Sequence, residues 1–503
     1  MSDTVIERSG GTHQLGVSRP PLEVTDLPTP EEVFGVPHLG LKEALRFVVG
    51  PSFIALGAAI GSGEWLLGPL AVGSQGFVGV GWIITVSVIL QVIYNVECAR
   101  YVIATGEVPI VGFARVPPGG RFWLPFSLLL IFFAYIWGGW VKGAADGLFA
   151  LTHDKVPAAA DKTTVELLAV LLLAAVLGIT LLFRRITRGL EFINGGLIAF
   201  QILFLLILDL AIVPWVVWWE AIRGFLTPAM PPSGMSATDL GALAGFAALL
   251  SGFNWIFLNH YRDKSYGMGY RVGFISGLRG KQSVVRSSGF TFADDERNAS
   301  LWGRWKRLVY LDMWGIFLGG AMIGMLLPTM LMRHLVLTSG EVPDKASITT
   351  FAANILNDQY GRGLFYLTLF VGFLILFLTQ LGIFESLVRN ATDAANISPR
   401  VQELTGGDLR RFYFPFMVLL LVTIGFVLHS FQPAELISIS ANMSNFGALI
   451  FPFVFIYLNR RLPKAARPTK LAYVGLMANV VFFGFFFLNF VVEKLTDTPL
   501  VTF

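Results

Sequence analysis

The sequence predicts an all-α polytopic membrane protein, built as two inverted five-helix repeats plus an eleventh span. Three observations predict it. Of 503 residues, 54% are hydrophobic and only 14% are charged, against roughly a quarter charged in soluble domains. Phe-rich apolar runs over 122–151, 167–183, 412–428 and 471–492 approach or exceed the ~20 residues that a bilayer crossing needs. A Ser-Gly pair interrupts the first and the sixth run, five spans apart, as a repeated five-helix unit requires.

Taken in order, residues 1–45 are polar and Pro-containing, with no apolar core ahead of a small-residue cleavage site. They read as a flexible cytosolic N-terminal tail rather than a signal peptide, and span 1 itself is expected to act as the uncleaved targeting signal. Hydropathy and loop punctuation place spans near 48–75, 78–104, 122–151, 163–183 and 187–212. The second set lies near 238–261, 307–332, 363–386, 412–430 and 434–458, and span 11 near 470–493. The first repeat is therefore 46–212 and the second 238–458. Between spans 6 and 7 lies a loop, 261–306, rich in Gly, Ser and Arg, which reads as a basic tether on anionic headgroups.

Lysine and arginine set orientation. Arg184, Arg185 and Arg188, the stretch Arg262 through Arg307, and Arg410, Arg411, Arg460, Arg461, Lys464, Arg467 and Lys470 all fall on one side of this layout. The connections 73–80 and 430–434 carry no Lys or Arg. The expectation is a multi-pass protein of the cell (plasma or inner) membrane, with the N-terminus cytosolic and the C-terminus outside. The net charge of +4 follows topology rather than a nucleic-acid-binding face. Cys98 is the only cysteine, which excludes disulfides within the chain and thiolate metal clusters. The sequence carries no phosphate loop, catalytic triad or clustered His/Cys motif, so neither enzyme chemistry nor a cofactor is expected.

The interruptions are the informative part. Span 1 runs through Gly61-Ser62-Gly63-Glu64-Trp65, and span 6 through Ser251-Gly252-Phe253-Asn254-Trp255. Backbone freed at membrane depth survives where protein or water satisfies it, and in transporters it binds solute. Small residues also simply let helices approach. Glu64 tips the balance towards a site, because a carboxylate is costly in a mere packing motif. The candidate solute-binding residues are Gly61, Ser62, Gly63, Glu64, Ser251, Gly252, Phe253 and Asn254. Asn442, Ser444 and Asn445 of span 10 join them at one depth, although a single Asn or Ser in a span is more often glue between helices.

Glu64 is the strongest single residue: it can ligate a hard cation or exchange a proton for one. The plainer alternative is a paired acid capping the second half-helix. Lys142 and Asp146 are four residues apart on one helical face, where a self-neutralised pair is the favoured reading and a coupling group the sharper one. Glu97 with Arg100 reads as a structural pair. Asp312 and Glu385 read as structural or gating residues near the inner surface, and His260 as an interfacial histidine.

At these residues the chain resembles the Nramp family of proton-coupled divalent-metal transporters, over spans 1–10. The points of resemblance are Gly50-Pro51, Cys98-Ala99-Arg100 with Thr105-Gly106, Arg188-Gly189-Leu190-Glu191-Phe192, and Pro452-Phe453. The resemblance implies a LeuT-type fold, eleven or twelve spans, and a metal site between broken spans 1 and 6. Departures fall on that site. Gly61-Ser62-Gly63-Glu64 stands in place of the family's Asp-Pro-Gly-Asn, and Ser251-Gly252-Phe253 in place of Met-Pro-His. The acidic relay positions of span 3 fall near Trp140 and Gly143, and span 9 has no Arg beyond Arg410 and Arg411.

The leading expectation is therefore a secondary active transporter that moves a hard, divalent metal cation by alternating access, with Glu64 as the metal's charged ligand. Its partners are the lipid bilayer and a small transported solute or ion, with proton or sodium coupling. The alternative is an organic solute such as an amino acid, its carboxylate cradled by the Gly61-Ser62-Gly63 backbone. A sensor or channel without transport is the third reading.

Overall fold

In a computed structural model the described residues are 21–40, 42–43, 56, 60–61, 63–182, 186–248, 252, 254–274, 285–345, 348–429 and 432–503, with backbone alone for 182 and 186–194. Ser62, Ser251 and Phe253 lie outside them, as does most of the first half of span 1.

Among the described residues, nine helical stretches are long and apolar enough to cross a bilayer. They are Gly81–Thr105 (span 2), Gly120–His153 (3), Ala159–Leu181 (4), Gly195–Ile212 (5), Glu296–Ser339 (7), Arg362–Ala395 (8), Arg410–Val427 (9), Pro433–Asn459 (10) and Lys470–Thr496 (11). Spans 1 and 6 are present as half-helices, Gly68–Gln75 after a π-helical turn at Gly63–Leu67, and Ala237–Gly245 followed by Trp255–Asp263. Short helices at Trp215–Leu226 and Ile348–Tyr360 fill connections where the sequence suggested no element.

Hydrophobicity does not separate helix from lipid, so association rests on close packing and hydrogen bonds between spans. Both are visible between spans 10 and 11. Asn479 donates to the Ala448 carbonyl at 2.9 Å, and Gly484 lies against Leu449. Spans 9 and 11 turn Leu419, Phe426, Val481 and Leu488 outward, the apolar side that lipid covers.

The structure corrects the sequence reading in three places. Span 3 is not continuous: Gly120–Tyr135 stops, and Gly139–His153 starts after Gly138 at φ 71°. A side chain there would be strained by the left-handed backbone. Span 7 begins at Glu296, well inside the segment assigned to the loop, and carries a π-helical turn at Leu311–Phe317.

The tail and the loop are neither free nor a mere tether in their described parts. Glu23–Val24 pairs in parallel with Phe290–Thr291. Leu27 N–H donates to Asn298 Oδ1 at 3.0 Å, and Trp305 Nε1–H to the Pro28 carbonyl at 2.9 Å. Phe34 packs edge-on against Tyr266 and Trp305. Hydropathy misses this docking because Leu27, Pro28 and Phe34 are sparse among acidic residues. The strap lies at the end of the bundle where Arg100, Arg262, Arg389 and Lys464 gather, hereafter the arginine end.

Candidate functional site

The break in span 1 is built on glycine and closed by its own acid. Gly61 N–H donates to Glu64 Oε2 at 2.9 Å, and Trp65 N–H to the Gly61 carbonyl at 2.8 Å. A carboxylate that reaches back three residues to a free amide is the geometry of a helix N-terminus. Glu64 is 0% exposed, and its second oxygen, Oε1, has no partner among the described residues. The glycines are needed for close approach. A Cβ at Gly61 would strike the Thr379 side chain of span 8, and one at Gly63 would strike the Phe246 carbonyl.

That carbonyl marks the break in span 6. Ser236 caps the first half by accepting from Asp239 N–H, the helix ends at Gly245, and the next helix among the described residues begins at Trp255. Gly252 lies in the gap, where a Cβ would meet Ile131 of span 3. The Phe246 ring stands 6.0 Å from Tyr135 and 5.7 Å from Trp140, centroid to centroid. Those two residues flank the span 3 interruption, so a third broken helix supplies the aromatic wall. Tyr135 in turn hydrogen-bonds Ser444 of span 10.

The sequence-predicted residues therefore separate. Gly61, Gly63 and Glu64 form the break, next to the turn after Gly245, and Ser444 reaches its rim through Tyr135. Asn254 faces span 2, donating to Asn95 Oδ1 at 2.7 Å. Asn442 donates to the Thr238 carbonyl at 3.2 Å and Asn445 to the Gly241 carbonyl at 3.0 Å. These two tie span 10 to the first half of span 6, the role of polar glue. Ser62, Ser251 and Phe253 are outside the described residues. No group of three His, Cys, Asp or Glu residues disposed to hold a metal ion is found among the described residues, so Glu64 stands as a single acid at the break.

Lys142 and Asp146 sit elsewhere. Lys142 Nζ donates to the Leu428 carbonyl at 3.2 Å, Asp146 hydrogen-bonds Thr349, and both line a cavity of about 500 Å³ with Lys162, His429 and Glu435. A second cavity, about 370 Å³, lies between Leu67 and Ala71 of span 1, Ala242 of span 6 and Ser438 of span 10. It reaches Leu67, three residues beyond Glu64. Both cavities lie away from the arginine end.

At the arginine end, sequence reasoning missed the largest polar feature. Arg262 and Asp263 of span 6 join Glu385, Arg389 and Asp393 of span 8 in one buried ion-pair cluster. The signal was present in the i, i+4, i+8 spacing of acid, base and acid along span 8. Glu385 and Asp312 are fully buried rather than near-surface, and Asp312 accepts from the Tyr261 hydroxyl. Glu97 pairs with Arg100 at 2.8 Å, as expected. Asp209 in span 5 was also missed; it is fully buried and neither carboxylate oxygen has a partner among the described residues.

No family model and no curated protein matches the chain in sequence. Solved structures do match. The Eremococcus coleocola manganese transporter, in complex with an aromatic bis-isothiourea substituted compound, is 17% identical, covers 95% of this chain and 93% of that one, and gives a TM-score of 0.59. Two mutants of that transporter are 15% and 17% identical, each with 95% and 92% covered and a TM-score of 0.58. Identity at this level speaks for fold alone. The chain is an all-α membrane bundle of the LeuT-type fold, similar along nearly its whole length to that manganese transporter.

Proposed function

We propose that the chain is a secondary transporter that moves a hard cation by alternating access, with the solute held between broken spans 1 and 6. One observation carries this reading: a fully buried carboxylate at a helix break, with one oxygen fixed by Gly61 N–H and the other unpartnered among the described residues. An intramembrane acid of that kind marks a solute or proton path. Backbone carbonyls freed at the breaks are further hard oxygen donors, suited to magnesium-, calcium- or manganese-like ions. The structural neighbour that carries manganese supports a metal cargo. One-sided access supports the cycle, since a cavity descends to Leu67 from one end while ion pairs close the other.

A second reading is favoured by the aromatic wall. The Gly61 amide already serves Glu64, which removes a donor from the carboxylate cradle that an amino acid would use. An organic solute suited to this site carries an ammonium group, which Glu64 balances and the Tyr135, Trp140 and Phe246 rings accommodate. We place the arginine end and both strap and loop in the cytosol of a cell membrane, following the Lys/Arg bias.

Glu64→Gln tests the reading. It keeps the shape and removes the charge, so it should fold and insert like the parent yet lose about tenfold or more in manganese binding and uptake into proteoliposomes, ~1.4 kcal/mol. Glu64→Asp should retain part of both. Uptake equal to the parent in Glu64→Gln would make Glu64 structural. Binding of ammonium solutes but not of manganese would select the second reading.

A further inference from the structure

Sequence alone assigns headgroup contact to the loop 261–306, but its arginines are already engaged. Arg262 pairs with Asp393, Arg286 with Glu23, Arg297 with Asp26 and Arg304 with Glu31. Unmatched cations lie instead in the turn between spans 10 and 11. Arg460, Arg461, Lys464, Arg467 and Lys470 are all exposed there, and none of them meets a carboxylate among the described residues. Asp294 touches this turn through its backbone, accepting from the Lys464 N–H at 2.5 Å. Cations crowded in this way repel one another, so the turn calls for anions from outside the chain.

The turn is built rather than merely charged. Residues Lys464–Ala466 form a single 3-10 turn, the Ala466 carbonyl accepts from Arg100 Nη1 at 3.1 Å, and Arg467 Nε–H donates to the Leu462 carbonyl at 2.9 Å. Two tyrosines place the arginines. The Arg461 guanidinium stands 3.4 Å from the Tyr457 ring centroid, and that of Arg460 stands 5.8 Å from the Tyr473 centroid. Tyr473 opens span 11, where Leu471, Val474 and Val481 are 79%, 64% and 70% exposed. The apolar side that lipid covers therefore starts at the residue after Lys470.

We propose that this turn binds the headgroup of an anionic phospholipid, with Arg460, Lys464 and Lys470 on its phosphate and its acyl chains along Leu471, Val474 and Val481. A cation at a membrane surface adds on the order of fivefold in affinity for anionic lipid. Continuity with the lipid-covered face selects a lipid over a free anion, because inorganic phosphate gains nothing from an apolar track. The headgroup would rest one hydrogen bond from a buried pair: Arg100, which holds the Ala466 carbonyl, is bound to Glu97 of span 2. Asn459, just before the turn, donates to the Glu97 carbonyl at 2.9 Å. The site needs the membrane fold and stands whatever solute the protein carries.

The test titrates the delipidated full chain, in a neutral detergent, with phosphatidylglycerol or phosphatidylcholine, reading bound lipid by native mass spectrometry and Tm by thermal unfolding. Phosphatidylglycerol should bind and raise Tm, more weakly as salt rises, and phosphatidylcholine should do neither. The triple variant Arg460→Gln, Lys464→Gln, Lys470→Gln removes side chains that make no hydrogen bond within the chain, so it should fold and lose tenfold or more in phosphatidylglycerol affinity. The double variant Arg286→Gln, Arg297→Gln, whose charges are met by Glu23 and Asp26, should bind like the parent. Equal binding of the two lipids overturns the proposal, as does parent-like affinity in the triple variant or an equal loss in the double one. Equal protection by inorganic phosphate overturns it too, since the site would then take any soluble anion. Should the triple variant not fold, Lys464→Gln alone decides: its affinity should fall about fivefold, and an unchanged affinity rules the site out.

Discussion

The two ends of the bundle solve opposite problems. Away from the arginines, helix ends stand apart around cavities of about 500 and 370 Å³; Lys162 is exposed at the larger one, and Lys142 and Asp146, largely buried, line its wall. At the arginine end, the charged groups of the core are turned inward and spent on each other, beneath a surface hollow of about 430 Å³ lined by Glu23, Arg286 and Asn396. Arg389 and Asp263 bind across spans 8 and 6, and a strap from the tail docks on the helix that leads into span 7. Polar side chains are therefore distributed by what each end has to do. An access route needs charges that stay solvated, while a seal needs charges that find partners in protein.

Accessibility gives the sharpest division. Cys98 is buried, so reactivity introduced elsewhere stands out. Ser438→Cys, in the 370 Å³ cavity, should react readily with a bulky water-soluble thiol reagent, and Asn259→Cys, fully buried on the second half of span 6, should not. Equal labelling of the two positions would erase the contrast between the ends. With one-sided reagents in vesicles, Thr498→Cys and Ser283→Cys should label from opposite faces.

Next in size is the seal itself. Removing one partner from a buried ion pair strands the other, at roughly 3–5 kcal/mol. Arg389→Gln strands Glu385 and leaves Asp263 with Arg262 alone, so thermal unfolding of the detergent-solubilised protein should move by an amount within that range. A loss below ~1 kcal/mol would mean that the cluster does not hold the end closed. Gly63→Ala is expected to cost less, ~1–3 kcal/mol of overpacking, because the Phe246 backbone must shift to admit a methyl group.

How far the sequence reaches follows the same division. Spans 2, 4, 5, 8, 9, 10 and 11 were legible because lipid demands long apolar runs and the runs are there. The breaks in spans 1 and 6 were legible because glycine beside serine or a carboxylate is rare at such depth. The interruption in span 3 was not, since Trp137-Gly138-Gly139 carries no polar residue to mark it. The placing of Asn254, Asn442 and Asn445 was also out of reach, because a side chain amide looks the same whether it faces a solute or a neighbouring backbone. Sequence put these residues at one depth, and only the structure turns Asn254 towards span 2 and the span 10 pair towards span 6. The ion-pair cluster joins residues 262 and 393, a distance no local pattern spans.

The smallest expected effects lie in the strap, and they test whether the arginine end is closed by packing or by surface charge. Arg297 pairs with Asp26 at 3.3 Å and Arg286 with Glu23 at 3.1 Å, all four well exposed. Exposed pairs contribute ~0–1 kcal/mol and are screened by salt. The buried contacts are different in kind, because Leu27 N–H depends on Asn298 Oδ1 and has no water to turn to. Asn298→Ala should therefore expose the tail to protease, at ~1–3 kcal/mol for the orphaned donor, while Arg297→Gln should change the cleavage rate little. Glu31 adds a pH arm. Burial raises its carboxyl, but the Arg304 hydrogen bond and charge outweigh that and hold it below the usual range. A lowered folded-state value means the contribution is present at neutral pH and is lost as pH falls through that value. Cleavage of the tail should accordingly quicken modestly at acidic pH in the parent and not in Glu31→Gln. If high salt alone frees the tail at neutral pH, surface charge holds the strap, and the arginine end is closed only by the cluster beneath it.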